Sequence, residues 1–199
     1  MQDIDIKNLF GSLAVILSFA GYAPYLRDLY LKRIQPHIFS WFLWGLMASI
    51  CATAQILDGA GAGSWTLVTG VVVCLIIVVS SLKRGTSNIT KSDWITFIAA
   101  LMAIPVWLLT NSPLWTIIIV TAIDFLAFIP TFRKSYHEPY GETLITYVIN
   151  SLKFVLSFLA LSHISFVTAF YISYLIIVNA SFATMLVWRR RAYAKQSAS

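Results

Sequence analysis

Along the chain, long apolar runs alternate with short polar connections. The runs fall at roughly 9–31, 38–57, 64–82, 94–110, 114–134, 141–162 and 165–188. A helix of about 20 mostly apolar residues crosses ~30 Å of hydrocarbon, so the pattern predicts an all-α integral membrane protein of seven transmembrane helices. The connections carry helix breakers: Pro36, the run Gly59 to Gly63, Gly85, Pro113, Pro139 and Gly141. The glycine-rich run, with no Lys after it, reads as a flexible turn rather than a phosphate cradle.

Charge orients these segments. Arg27, Lys32 and Arg33 lie at the first connection, Lys83, Arg84 and Lys91 at the third, Arg133 and Lys134 at the fifth. Arg189, Arg190, Arg191 and Lys195 follow the last segment, and the alternate connections around Asp58, Asn111 and His163 hold no Lys or Arg. Of the 14 cations only Lys7 and Lys153 depart from this alternation, which places the N-terminus outside and the C-terminus in the cytoplasm. With 59% hydrophobic and 11% charged residues, the composition suits a surface that faces lipid. The net charge of +6 is therefore a topology signal, and no nucleic-acid partner is expected. Cys51 and Cys74 fall in apolar segments and read as small buried side chains. Asp3 and Asp5 before the first segment do not make the basic leader of a signal peptide, so that segment is expected to be retained. Asn88, in a glycosylation-type triplet, falls on the cytoplasmic side. The lack of processing signals favours a bacterial inner membrane.

A shift of 106 residues superposes the first three segments on the last three. Pro24-x-x-Arg27-x-x-Tyr30 falls on Pro130-x-x-Arg133-x-x-Tyr136, Ser40-Trp41 on Thr146-Tyr147, and Lys83-Arg84 on Arg189-Arg190. The chain thus reads as one membrane domain: repeat one at about 9–84, a linker helix at about 94–110 and repeat two at about 114–190. Two parallel triple-helix bundles around an odd linker give a 3-1-3 arrangement, a transporter plan with its site between the repeats near the midplane.

This layout, with a proline late in the first helix of each half, resembles the SWEET/PQ-loop (MtN3-like) superfamily and its small bacterial seven-helix members. The resemblance implies a carrier whose prolines let the helices bend during alternating access. Where the superfamily has Gln after each proline, this chain has Tyr25 and Thr131. Of the paired intramembrane Asn of the sugar-carrying members, Asn179 is present and its repeat-mate is Val73.

Ionisable groups inside spans cost roughly 2.5–3.5 kcal/mol each, so each needs a reason. Asp124 and Lys153 are both mid-span, on the order of 15 Å below the outer face at ~1.5 Å per residue. Their segments are consecutive and antiparallel, so a direct or water-bridged pair is expected. Such a pair could fix helix packing or line a cavity against a polar substrate, or Asp124 could couple transport to protons. Asn150 shares a helix face with Lys153, and Asn179 sits near the middle of the last segment; each could serve packing or a cavity. Trp44, one turn from Trp41, could stack on a flat substrate or anchor at the interface. Pro24 and Pro130 are the expected hinges, and Pro105 kinks the linker. Arg27 and Arg133 either snorkel to headgroups or gate the cytoplasmic side with an acidic partner such as Asp28 or Glu138.

No enzyme is expected. The three histidines lie at different helix ends, and no His-x-x-Glu-His cluster or Gly-x-Ser-x-Gly elbow occurs, so neither metal nor cofactor is implied. A retinal Schiff-base Lys would belong in the last helix, not at 153. The reading is a transporter or facilitator of a small polar solute, in contact with membrane lipid, with a homo-oligomer left open. A non-transporting receptor or scaffold on the same fold is the alternative, distinguished by whether an aqueous cavity exists.

Overall fold

The computed structural model describes residues 2–82, 89–91, 94–95, 97–98, 101–102, 105, 109 and 113–196. Among them the chain is helical and forms no strand. The helices are α1 (Gln2–Tyr30), α2 (Ile38–Leu57), α3 (Trp65–Leu82), α4 (Pro113–His137), α5 (Leu144–Leu159) and α6 (Phe166–Gln196), with a 3-10 turn at Gly61–Ser64. Among the described residues five spans are long and apolar enough to cross a bilayer, and of the six helices only the 16-residue α5 falls short. Large apolar side chains such as Ile16, Phe19, Val72, Leu75 and Ile177 face outward, as a lipid-facing surface requires. Lys83, Arg84, Gly85, Asn88, Asn111 and most of the 94–110 segment lie outside the described residues. Of that segment, Trp94 and Phe97 pack on Phe39 of α2, with ring centroids 4.6 and 4.4 Å apart.

The apolar runs locate the helices, and several ends differ from expectation. α1 begins before residue 9 and α6 runs on past 188, because polar residues beyond the hydrocarbon still continue a helix. α5 starts at Leu144, which leaves Glu142 in the connection rather than in the span.

Helix packing does not follow sequence order. α1 packs against α3 and α5, α2 against α3 and α4, and α6 against both α4 and α5, with lighter contacts between α2 and α6 and between α3 and α5. The backbones of α1 and α2 are not neighbours, nor are those of α4 and α5. Exchanging α1 with α4, α2 with α5 and α3 with α6 turns every one of these pairs into another on the same list of neighbours. The correspondence reaches single residues. α2 and α5 begin 106 residues apart, after His37 (φ −79°, ψ 103°) and Thr143 (φ −85°, ψ 99°).

The prolines explain two of the bonds between the halves. Pro24 and Pro130 lie inside α1 and α4, where each removes a helix N–H and loosens the preceding turn. In such turns a neighbouring Ser or Thr can re-satisfy the backbone. Thr146 of α5 donates to the Gly21 carbonyl at 2.8 Å, and Ser40 of α2 donates to the Ala127 carbonyl at 2.5 Å. Both acceptors sit three residues before a proline. Each loosened turn is thus strapped to the opposite half.

At the end of the bundle away from most of the cations, the glycine-rich run is not a free turn. Ala62, Gly63 and Ser64 are buried, wedged between α1 and α5. A Cβ on Gly11 of α1 would stand 2.6 Å from the Ala62 Cβ, and one on Gly63 would stand 2.6 Å from the Leu161 side chain. The absence of side chains there lets three backbones meet. Bonds from Ser157 to the Gly63 carbonyl (2.5 Å), from the Ser162 N–H to the Ala60 carbonyl (3.1 Å) and from Lys7 to the Ser162 carbonyl (3.2 Å) fasten the wedge.

Candidate functional site

Between the helices lies a cavity of about 60 Å³, to which all six helices contribute. Its lining runs from Thr66 and Tyr171, near the starts of α3 and α6, to Trp41 and Tyr147, near the starts of α2 and α5. Four of the five side chains expected at a binding site meet here: Trp44 from α2, Asp124 from α4, Asn150 from α5 and Asn179 from α6.

Three of these four present a buried polar atom with no hydrogen-bond partner: Trp44 Nε1, Asp124 Oδ2 and Asn150 Oδ1. Buried polar groups are nearly always paired, so three orphans around one cavity mark a place built for something polar. Asn179 is different, since its amide donates to the Leu175 carbonyl of its own helix at 2.8 Å. The other Asp124 oxygen accepts from Tyr171 at 3.0 Å, and Tyr174, one turn on, acts on the same carboxyl group. The rest of the wall is largely aromatic: Trp44 packs on Phe128 at 4.4 Å, and Tyr22 meets Trp41 edge-on at 6.5 Å.

Lys153 does not join them, and the expected direct pair with Asp124 is not formed. Fully buried, its ammonium donates to the Tyr22 hydroxyl at 3.0 Å and lies over the Tyr22 and Phe154 rings, 4.1 and 4.8 Å from their centroids. Tyr22 lines the cavity and Lys153 does not. The physical reason is topological: α4 and α5 are consecutive in sequence, yet their backbones are not neighbours, and α6 packs against both.

At the cation-rich end the cavity abuts a network that the sequence did not single out. Glu142, just before α5, is buried and accepts from Tyr25 of α1 at 2.8 Å, Tyr147 of α5 at 3.0 Å and Lys134 of α4 at 3.5 Å. Trp41 of α2 donates its indole N–H to the Tyr25 hydroxyl at 3.0 Å. Lys134 also donates to the Gln35 carbonyl in the α1–α2 connection. Burial raises the Glu142 carboxyl above the ordinary range, against the Lys134 ammonium and the two tyrosine bonds, which pull it down. Three helices thus converge on one carboxyl group and a fourth joins through Tyr25, and Trp41 and Tyr147 belong to the network and to the cavity wall alike.

The two expected gate arginines differ in exposure. Arg27 is mostly exposed and pairs with Asp28 at 3.1 Å, one of the acidic partners foreseen for it; Arg133 is half-buried. Asp28 in turn accepts from Thr143 at 3.0 Å, so the end of α1 reaches into the α4–α5 connection as Lys134 reaches into the α1–α2 connection.

The tyrosines were the main omission. Hydropathy treats a mid-span Tyr as an ordinary aromatic, and nothing in spacing marks Tyr22, Tyr25, Tyr147 and Tyr171 as the partners of the buried ionisable groups. Among the described residues no three His, Cys, Asp or Glu side chains cluster as a metal site would need. Comparison with family models, curated proteins and solved structures returned no match.

Proposed function

We propose that this chain is a membrane carrier that moves a small polar solute by alternating access between two triple-helix halves. In this reading the seven spans adopt the 3-1-3 plan of the SWEET/PQ-loop type, in a bacterial inner membrane, with the cation-rich end in the cytoplasm. The observation that carries the proposal is the cavity itself, at the junction of the halves, with three unpartnered polar atoms on its wall. The interchangeable packing of the two sets of helices supports a rocking motion, since equivalent halves can exchange equivalent interfaces. Pro24 and Pro130 serve as hinges held by Thr146 and Ser40 from the opposite half. The Glu142 hub closes the cytoplasmic side and has to separate for the cavity to open there. Arg27 and Arg133 flank it.

A thermal-shift screen of the purified protein against amines, sugars, amino acids, vitamins and nucleosides tests the reading, repeated on Asn150→Ala. A solute that binds the folded state raises the unfolding midpoint by mass action. The expected result is a solute that stabilises the wild type and has less effect on the variant, and that is taken up by proteoliposomes containing the protein. A wild type indifferent to every solute class, in a chain that still folds, would replace the carrier with the receptor or scaffold reading.

A further inference from the structure

The chemistry of the cavity wall narrows the solute, granted that the cavity is a solute site. Its two orphaned oxygens, Asp124 Oδ2 and Asn150 Oδ1, are acceptors, and its one orphaned donor is Trp44 Nε1. A ligand that satisfies all three brings at least two donors and one acceptor. Asp124 is the one ionisable carboxyl group on the wall, and no Lys or Arg lines the cavity. No cation stands within 4 Å of Asp124 among the described ion pairs, and Lys153, the cation of the neighbouring helix layer, is held behind the Tyr22 ring. A buried carboxylate without a counter-ion is costly, and one that gains a cation from its ligand recovers that cost on binding. The aromatic faces of Trp44 and Phe128 beside it suit a positive group and give an anion nothing.

We infer that the solute is a small organic cation bearing a primary ammonium and one acceptor oxygen, and no carboxylate. The ammonium pairs with Asp124 and donates to Asn150, while the oxygen accepts from Trp44. A zwitterionic amino acid is refused because its carboxylate finds no cation on the wall. Size points the same way: a cavity of about 60 Å³ has room for roughly four to six water-sized groups, the scale of an amino alcohol and well below a hexose.

Three probes of matched size separate the possibilities: ethanolamine, its uncharged analogue ethylene glycol and its anionic analogue glycolate. Each is titrated against the intact protein in detergent, with the unfolding midpoint as readout. Ethanolamine is expected to stabilise the wild type at the lowest concentration of the three. Asp124→Asn, nearly isosteric, is expected to weaken ethanolamine at least ~10-fold, since it removes a charge-assisted bond, and Trp44→Phe to weaken it less. If Asp124→Asn fails to fold, the wild-type ranking decides by itself. Ethylene glycol or glycolate ranking above ethanolamine, or Asp124→Asn binding ethanolamine unchanged, overturns the amine assignment and leaves the carrier reading standing. A wild type that responds to no solute of any class overturns both.

Discussion

Replacing Tyr25 by Phe removes one oxygen atom from the Glu142 hub and breaks two links at once. The hydroxyl donates to Glu142 at 2.8 Å and accepts from the Trp41 indole at 3.0 Å, and it is fully buried. Ordinary interhelical bonds in bilayers average only ~0.6 kcal/mol and reach ~1.7. A bond to a carboxylate is stronger, about 1.5–3 kcal/mol, and stranding the buried indole N–H adds roughly 1–3 more. Non-additivity trims the sum, so a loss of about 2–4 kcal/mol is expected. The measurement is reversible unfolding in mixed micelles, run as a double-mutant cycle with Trp41→Phe. If the indole depends on the Tyr25 oxygen, Trp41→Phe costs at least ~1 kcal/mol less in the Tyr25→Phe background than in the wild type. Glu142→Gln supplies a third corner, because it removes the charge and keeps an acceptor. Strict additivity within ~0.3 kcal/mol, or a Tyr25→Phe cost below ~0.5 kcal/mol, would refute the hub as a coupled unit.

Other perturbations follow from the same geometry. Because burial raises the Glu142 carboxyl, the folded protein holds this proton to higher pH than the unfolded chain does. The associated stability is fully present below the unfolded value and is lost as pH rises through the folded one, the reverse of the usual carboxylate. Wild-type stability should therefore fall across that window relative to Glu142→Gln, and parallel pH profiles would contradict it. Lys153→Met should leave stability unchanged or raise it, since removing a charge that costs roughly 2.5–3.5 kcal/mol outweighs one bond to Tyr22 and its ring contact. A loss above ~2 kcal/mol that Asp124→Asn restores would mean that the two act as an ion pair after all. Gly11→Ala should cost about 1–3 kcal/mol, because its Cβ would stand 2.9 Å from the Ala62 backbone oxygen, which cannot yield as a side chain can. Gly70→Ala, whose nearest neighbour is the Tyr22 hydroxyl at 4.0 Å, should be neutral or slightly favourable by comparison. Equal midpoints for the two glycine variants would be the contrary result.

Much of the helix inventory was legible, because burial in lipid demands long uninterrupted apolar runs and little else. Segment 38–57 coincides with α2, and segment 64–82 differs from α3 by one residue. Hydropathy could not say which helix a polar face meets. Asp124 and Lys153 stand out as charges inside apolar runs, yet chain adjacency, the ground for pairing them, joins two helices whose backbones are not neighbours. The 106-residue offset carried more spatial information: Ser40 and Thr146 were aligned by it, and both bind a carbonyl three residues before a proline in the other half. Asn150, Asn179 and Asp124 are legible as candidates because each is polar in an apolar run, and Trp44 because it stands one turn from Trp41. Glu142 was not, for it sits at a run's edge where an acidic residue attracts no notice, and only the fold draws four helices around it.

Two halves that pack alike do not present alike surfaces to what lies between them. The repeat-mates of Asp124, Asn150 and Asn179 are Ser18, Trp44 and Val73, so the second half supplies the carboxyl and amide groups and the first answers with an indole. The three orphaned atoms stand on three different helices, α4, α5 and α2. An ammonium that meets Asp124 and Asn150 and an oxygen that meets Trp44 fix the axis of a guest, so a substituent at its stereocentre faces different walls in the two mirror forms. Helices whose neighbours interchange therefore enclose a chamber whose chemistry does not, and the enantiomers of a branched amino alcohol should not be equal inside it.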